Sequence, residues 1–359
     1  MKVIKNFIKS IIRKSRWLRK IIYKLYPVAL PYKTSDLEVE LIENENFYKK
    51  KMFKIPRKAT YQGHSFEYLN SRILTKEERI CELKQVFYKY CGYYLDIDNP
   101  KTFNQKIQWL KMYYKDPRMA RCVDKAEFKN YIEEQLGEGY TVPLYGVWEK
   151  EGLIDFDALP DSFVLKSTLQ SDGRHIIVVK DKSMYDMDYL KTVLSSWLIP
   201  RNSLRSSYCN AYNHLRTRIL AEEMLEPEEG GIDDYKFYCY NGVCRHFLVC
   251  KDRGEKTKYI NYDLDLNCIK LSPKSYITEE KFDRTPDFDK MLEIAEKLAM
   301  PFPFVRVDFY FVNGRIYVGE LTFYPGGGYN TYYREWDTQL GQYMELPEAN
   351  YFEDDLLIK

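Results

Sequence analysis

The segment that most restricts the possible folds lies late in the chain. Phe304-Val305-Arg306-Val307-Asp308-Phe309-Tyr310-Phe311 alternates apolar and polar residues. An Asn313-Gly314 pair follows, and Ile316-Tyr317-Val318-Gly319-Glu320-Leu321-Thr322 makes a second strand-like run. Asn-Gly between two such runs signals a hairpin, because both residues accept positive φ. Strand side chains point alternately to opposite faces. Val305, Val307, Phe309 and Phe311 therefore share one face, and Arg306, Asp308 and Tyr310 the other. One face is fit for a core, and the other carries charge.

Loop length decides whether the carboxylates meet. A strict two-residue turn pairs Val312 with Arg315 and sends Asp308 and Glu320 to opposite faces, with one acid in the core. A three-residue loop pairs Phe311 with Arg315 and gives Gly314 the left-handed place of a bulge. Arg306, Asp308, Glu320 and Thr322 then lie on one face. Arg306 faces Glu320, with Asp308 its diagonal neighbour roughly 7–8 Å away. Burying a lone carboxylate is costly, so the three-residue loop is expected. Oxygens so placed suit a hard divalent cation.

The rest of the chain reads as mixed α and β. Thr75 caps one helix, and Thr102 with Gln105 makes a capping-box pattern for another. A helix is expected over Asp124–Leu136, ended by Gly137. Ser162–Ser167 and His175–Lys180 read as strands around the polar turn Ser171-Asp172-Gly173. A helix over Ser183–Leu198, a strand over Arg218–Leu225, a hairpin at Asn241-Gly242 and a helix over Asp289–Ala299 follow. Residues 32–74 give no usable periodicity.

Two strands end on chemistry. Phe163-Val164-Leu165-Lys166 delivers a lysine just before a polar turn, where it can meet phosphates. Asp124-Lys125 opens a helix with a second lysine. Ile219-Leu220-Ala221-Glu222-Glu223-Met224-Leu225 is an apolar strand closing on paired acids, suited to an adenine edge and ribose hydroxyls.

Composition bounds the partners. The 359 residues carry a net charge of +2, which gives no nucleic-acid footprint. Eight cysteines without a Cys-x-x-Cys argue against a zinc or disulfide framework and for a reducing cytosol. The charge is uneven, because no acid precedes Asp36. Residues 2–25 put Val3, Ile4, Phe7, Ile8, Ile11 and Ile12 at helical spacing among Lys5, Lys9, Arg13 and Arg16. They have no apolar stretch long enough to span a bilayer. Such a helix is expected to lie on anionic lipid of the inner leaflet.

The order of these parts resembles the ATP-grasp superfamily, and more closely its TupA-like (teichuronopeptide-biosynthesis) branch. The resemblance runs from Phe103 to Pro347. It is carried by Asp124-Lys125, Val142-Pro143-Leu144-Tyr145-Gly146, Phe163-Val164-Leu165-Lys166, Asp234-Tyr235-Lys236-Phe237, Arg306-Val307-Asp308-Phe309-Tyr310 and Gly319-Glu320-Leu321-Thr322-Phe323-Tyr324-Pro325. It implies an α+β ATP-grasp fold, with ATP between two α+β lobes and a helical N-terminal region. The expected divisions are a membrane-surface helix over 1–26, a mainly helical region over 27–123, a small lobe over 124–225, a large lobe over 226–347 and a tail over 348–359. Lys125 and Lys166 would hold phosphates. Glu222, Glu223, Met224 and Leu225 would form the adenine hinge. Asp308, Glu320 and Thr322 would hold Mg2+, Arg306 would steady the acyl phosphate, and Lys236 would reach the γ-phosphate. Thr322 stands where the superfamily usually places Asn, and Asp172 adds a negative charge to the phosphate-side turn.

The implied activity is amide formation from a carboxylate and an amine through an acyl phosphate. The branch's name implies a uronic-acid polysaccharide or its precursor as one substrate and an amino acid as the other. Three alternatives remain open on the residues. They are a glycosyltransferase using Asp263-Leu264-Asp265, a sugar kinase on the same lobes, and an inactive membrane-bound scaffold.

Overall fold

The computed structural model describes residues 76–169, 175–198, 209–212, 215–227, 231–251, 257–279 and 281–350. The expected helix over 2–25, the Thr75 cap, the Ser171-Asp172-Gly173 turn and the segment 32–74 lie outside the described residues. No helix among the described residues is long and apolar enough to cross a membrane.

Two antiparallel sheets organise the chain. The smaller contains β1 (Leu144–Trp148), β2 (Phe163–Ser167), β3 (Ile176–Val179) and β4 (Ile219–Glu222), in the order β1-β4-β2-β3. The larger contains β5 (Asp234–Tyr240), β6 (Val243–Lys251), β7 (Lys258–Asp263), β8 (Cys268–Ile269), β9 (Phe304–Val312) and β10 (Arg315–Thr322). Its order is β10-β9-β5-β6-β7-β8.

Period-two alternation gives each sheet an apolar face, and the opposite face carries charged residues on β2 and β4 of the smaller sheet and on β5, β9 and β10 of the larger. In the smaller sheet Phe163, Leu165, Ile219 and Ala221 are fully buried. They pack with Leu190, Leu194 and Trp197 of helix Met187–Leu198. The alternate residues Lys166 and Glu222 point the other way. In the larger sheet Val305, Val307, Phe309, Phe237 and Phe247 are fully buried. They join Phe288, Met291, Ile294, Ala295 and Leu298 of helix Pro286–Ala299. Thr285 caps that helix by accepting from the Phe288 amide, and Pro286 occupies its first turn.

Seven α-helices occur among the described residues. In chain order they are α1 (Lys76–Cys91), α2 (Phe103–Tyr113), α3 (Pro117–Val123), α4 (Lys125–Leu136), α5 (Met187–Leu198), α6 (Pro286–Ala299) and α7 (Arg334–Gln342). The α2 capping box forms as expected, with the Thr102 side chain accepting from the Gln105 amide and the Gln105 side chain returning to the cap. Helix α4 starts on Asp124 and ends at Gly137, whose φ of 87° needs glycine. Its Phe128, Tyr131 and Ile132 sit in the core of the larger sheet, although the expected small lobe began at residue 124. Asp263-Leu264-Asp265 falls in the turn after β7, where Asp263 accepts from the Asn267 amide at 2.8 Å.

The β9–β10 hairpin departs from the expected register. Val312 stands opposite Arg315, so the turn is the two-residue kind. Asn313 and Gly314 both take positive φ, 50° and 73°, as a type I′ turn requires. The three-residue loop and the Phe311–Arg315 pair are therefore incorrect. A bulge restores the face instead: the register shifts between Val318 and Glu320, at Gly319. Beyond it Glu320 stands opposite Asp308 and Thr322 opposite Arg306. The acids share a face, as direct partners and not as diagonal ones. Glycine is needed there because a Cβ on Gly319 would lie 2.8 Å from the Tyr310 ring.

Candidate active site

The charged faces of the two sheets line one cavity of about 240 Å³, with α4 along its side. Lys166 and Glu222 enter from the smaller sheet, and Lys125 and Lys129 from α4. Asp234 and Lys236 of β5, Arg306, Asp308 and Tyr310 of β9, and Glu320 of β10 enter from the larger sheet. Five cations and four carboxylates thus converge on one cavity.

Helix α4 is held at both sides of this cavity. Its apolar residues anchor it in the larger core. Its N-terminus is tied to the smaller sheet, where the Lys125 amide donates to the Thr168 carbonyl at 3.0 Å. Arg218, just before β4, pairs with Asp124 at 3.1 Å and Glu127 at 3.0 Å. Lys125 and Lys129 are one helical turn apart and therefore on the same side.

Two ion-pair clusters face each other. On the smaller sheet Glu222 takes Lys166 on one oxygen and Lys129 on the other, the latter at 2.9 Å. Lys129 also donates to the Val142 carbonyl. Burial pushes the Glu222 carboxyl up, but the two lysines outweigh it and hold it below its ordinary value. Burial likewise lowers Lys129 against the pull of Glu222. At Lys166 the attraction of Glu222 wins over burial and raises the ammonium. Lys125 is lowered by burial, with Glu320 opposing the shift.

On the larger sheet Asp308 is held from two sides. Arg306 donates to it through Nε at 2.6 Å and through a terminal nitrogen at 2.7 Å, and Lys236 approaches at 2.6 Å. Lys236 also meets Asp234 at 2.6 Å. Burial pushes the Asp308 carboxyl up, and Arg306 and Lys236 outweigh it, so the group stays ionised below its ordinary range. Arg306 further donates to the Thr322 hydroxyl at 3.1 Å. Glu320, directly opposite Asp308, has no hydrogen bond or ion pair among the described residues.

The donor set bears on the implied Mg2+. Such an ion typically takes one or two carboxylates and completes its shell with phosphates and water. Glu320 and Asp308 supply that number from adjacent positions. No three His, Cys, Asp or Glu converge on a metal position among the described residues. The Thr322 hydroxyl is shared with Arg306 and is the poorest of the three expected donors.

Of the expected site residues, Lys125, Lys166, Glu222, Lys236, Arg306, Asp308 and Glu320 line the cavity, and Thr322 adjoins it through Arg306. Glu223, Met224 and Leu225 follow β4 as a half-buried strip, with the Glu223 amide bonded to the Pro143 carbonyl at 2.9 Å. Glu222 differs from its neighbours in the expected hinge, because its carboxylate is committed to lysines. Lys129 escaped the sequence reading, and Asp234 appeared there only within Asp234-Tyr235-Lys236-Phe237, without a role. The i, i+4 spacing of Lys129 from Lys125, and of Asp234 two places before Lys236 on one strand face, were the available signals.

The family model for TupA-like ATP-grasp proteins matches residues 105–345, about two thirds of the chain. No curated protein matches it. Among solved structures it is similar to a D-alanine–D-alanine ligase from Helicobacter pylori, with 14% identity over 67% of this chain and 69% of that one and a TM-score of 0.39. A second ligase of that title, from Bacillus anthracis, gives 15%, 56% of each chain and 0.37. N5-carboxyaminoimidazole synthetase from Staphylococcus aureus with ADP gives 13%, 68% of this chain, 59% of that one and 0.38. The chain thus spans under two thirds of the length of the latter two. The family match, and not these distant likenesses, places the chain.

Proposed function

We propose that this chain, which belongs to the TupA-like ATP-grasp family, is an ATP-dependent carboxylate–amine ligase working in the cavity between its two sheets. The observation that carries the reading is the Asp308–Glu320 pair, set side by side by the Gly319 bulge and facing lysines from the opposite sheet. Phosphoryl transfer needs charge neutralisation and positioning more than covalent help from the protein, and this cavity offers both.

In this reading the adenine lies along Glu223, Met224 and Leu225, and Lys125 and Lys166 hold the phosphates. Lys166 exchanges Glu222 for a phosphate oxygen, while Lys129 retains Glu222. Glu222 therefore acts through its lysines. Asp308 and Glu320, with Thr322 as a weak neighbour, would hold Mg2+, which supplies neutralisation of the phosphate oxygens. Lys236 reaches the γ-phosphate. A carboxylate oxygen of the first substrate attacks the γ-phosphorus and the bond to ADP breaks. The amine then attacks the acyl carbon, its proton leaves, and phosphate departs as the amide forms. Arg306, held by Asp308, steadies the charged oxygens of the acyl phosphate and its tetrahedral adduct. The smaller sheet with residues 124–225 and the larger with 226–347 would serve as the two lobes.

The finer reading takes a uronic acid of a cell-surface polysaccharide or its precursor as the carboxylate and an amino acid as the amine. Lys166→Ala is expected to weaken ATP binding by about 1.5–3 kcal/mol, the range for a hydrogen bond to a charged group. Unchanged binding in calorimetry would remove Lys166 from the site.

The basic, acid-free sequence of residues 2–25 supports attachment to the inner leaflet, where each basic residue contributes about 1 kcal/mol. Full-length protein should sediment with anionic but not neutral vesicles. Reversing Lys5, Lys9, Arg13 and Arg16 to Glu should abolish this. Equal binding to both vesicles would rule out electrostatic attachment.

A further inference from the structure

Lys111 of α2 is 1% exposed, and among the described residues no carboxylate pairs with it. Its ammonium donates to the Gln108 side chain at 2.7 Å and to the Gly327 carbonyl at 2.9 Å, and sits 4.8 Å from the Tyr329 ring centre. Burying an unpaired ammonium costs several kcal/mol. A methionine would fill the same space without that cost.

Gly327 belongs to the turn Pro325–Gly328, which begins three residues after Thr322. Gly326, Gly327 and Gly328 all take positive φ, 58°, 64° and 73°. One face of α2 grips this turn. Gln108 donates to the carbonyls of Gly327 at 3.0 Å and Gly328 at 2.8 Å. Asn104 donates to the Asn330 carbonyl at 2.9 Å and accepts from the Asn330 amide at 3.0 Å. A Cβ on Gly328 would lie 2.5 Å from Gln108, so the fit leaves no slack. On the chain's other side the turn continues into Tyr324, Phe323 and then Thr322 and Glu320 of β10.

We propose that Lys111 is a positioning residue of the ligase, whose ammonium clamps the Pro325–Gly328 turn and thereby fixes β10 and its Glu320 opposite Asp308. The proposal rests on the ligase reading for its consequence and on the clamp geometry for its cause. Glu320 has no other side-chain tether among the described residues, so its place depends on its own strand. The titratable side chains nearest Lys111 are Cys91 and Cys209, and burial pushes the Cys91 thiol up to about 12, so it brings no charge to the ammonium near neutral pH. Burial lowers Lys111 itself to about 8. Its folded value lies below its unfolded value of about 10.4, so between those values the unfolded chain holds more protons. Stability should therefore rise with pH there, while the clamp weakens.

The test compares full-length wild type with Lys111→Met and Lys111→Gln. Hydrogen exchange should quicken at residues 323–332 in both variants and stay unchanged at 125–136 and 163–167. ATP binding should stay within twofold, while phosphate release falls about 10²-fold, the scale for an ångström of misplacement. The wild-type rate should fall as pH rises through about 8, and that limb should vanish in both variants. Unchanged exchange at 323–332, or equal losses of ATP binding and rate, would overturn the proposal. Quickened exchange at 323–332 in a chain whose wild type releases no phosphate with any carboxylate would support the clamp and remove the ligase reading.

Discussion

Glu320→Gln is expected to lower ATP-driven phosphate release by about 10²–10³-fold or more, the scale for removing one preorganised charge contact, while stability stays within about 0.5 kcal/mol. The two effects separate because Glu320 has no hydrogen bond or ion pair among the described residues, and it supports Lys125 only through its charge at a distance. Asp308→Asn should lose as much rate and also stability. Arg306 and Lys236 both rely on Asp308, and an isosteric amide cannot replace its charge. Phosphate release measured beside thermal melting distinguishes the two carboxylates. Wild-type turnover in Glu320→Gln would make the hairpin structural.

Glu222→Ala should destabilise the fold by about 3–5 kcal/mol, the cost of breaking a buried ion pair by removing one partner. Lys166 and Lys129 are 20% and 11% exposed and would lose their shared carboxylate. Adding Lys166→Met should recover part of the loss, since one orphaned charge is then gone, and a double-mutant cycle reads the coupling. The folded-state value of Glu222 lies below its unfolded value. Its contribution is therefore present above the unfolded carboxylate range of about 4.3 and lost as pH falls through the folded value. The acid limb of the stability profile should be shallower in Glu222→Ala. Urea unfolding at several pH values measures both effects, and a loss below about 1 kcal/mol, as for exposed pairs, would show the cluster to be solvated.

The elements whose signals are local were legible. The Thr102–Gln105 box, the Asp124 start and Gly137 stop of α4, and both Asn-Gly hairpins depend on residues a few places apart. The β9–β10 register was not, because alternation counts residues and cannot show where one is skipped. Gly319 was the clue: glycine inside a strand often marks a bulge or a close approach, and here it marks both. The cost of burying a carboxylate pointed to the right face but through the wrong loop. The clustering of Glu222 with Lys129 was also hidden, since residues 93 places apart meet only when α4 crosses from one sheet to the other. Lys111 shows the same limit. Its sequence context is an ordinary helix, and only the packing of the glycine turn removes its solvent.

In the proposed chemistry the carboxylate of one substrate receives the γ-phosphoryl group and later gives up one of its own oxygens with the departing phosphate. Oxygen-18 in that carboxylate follows this transfer whichever amine is the acceptor. With ATP, Mg2+, a uronic acid labelled in its carboxylate and a mixture of amino acids, the released phosphate should carry one labelled oxygen, detected by mass spectrometry. Unlabelled phosphate, or transfer of the phosphoryl group to a stable sugar phosphate, would rule out an acyl-phosphate ligase.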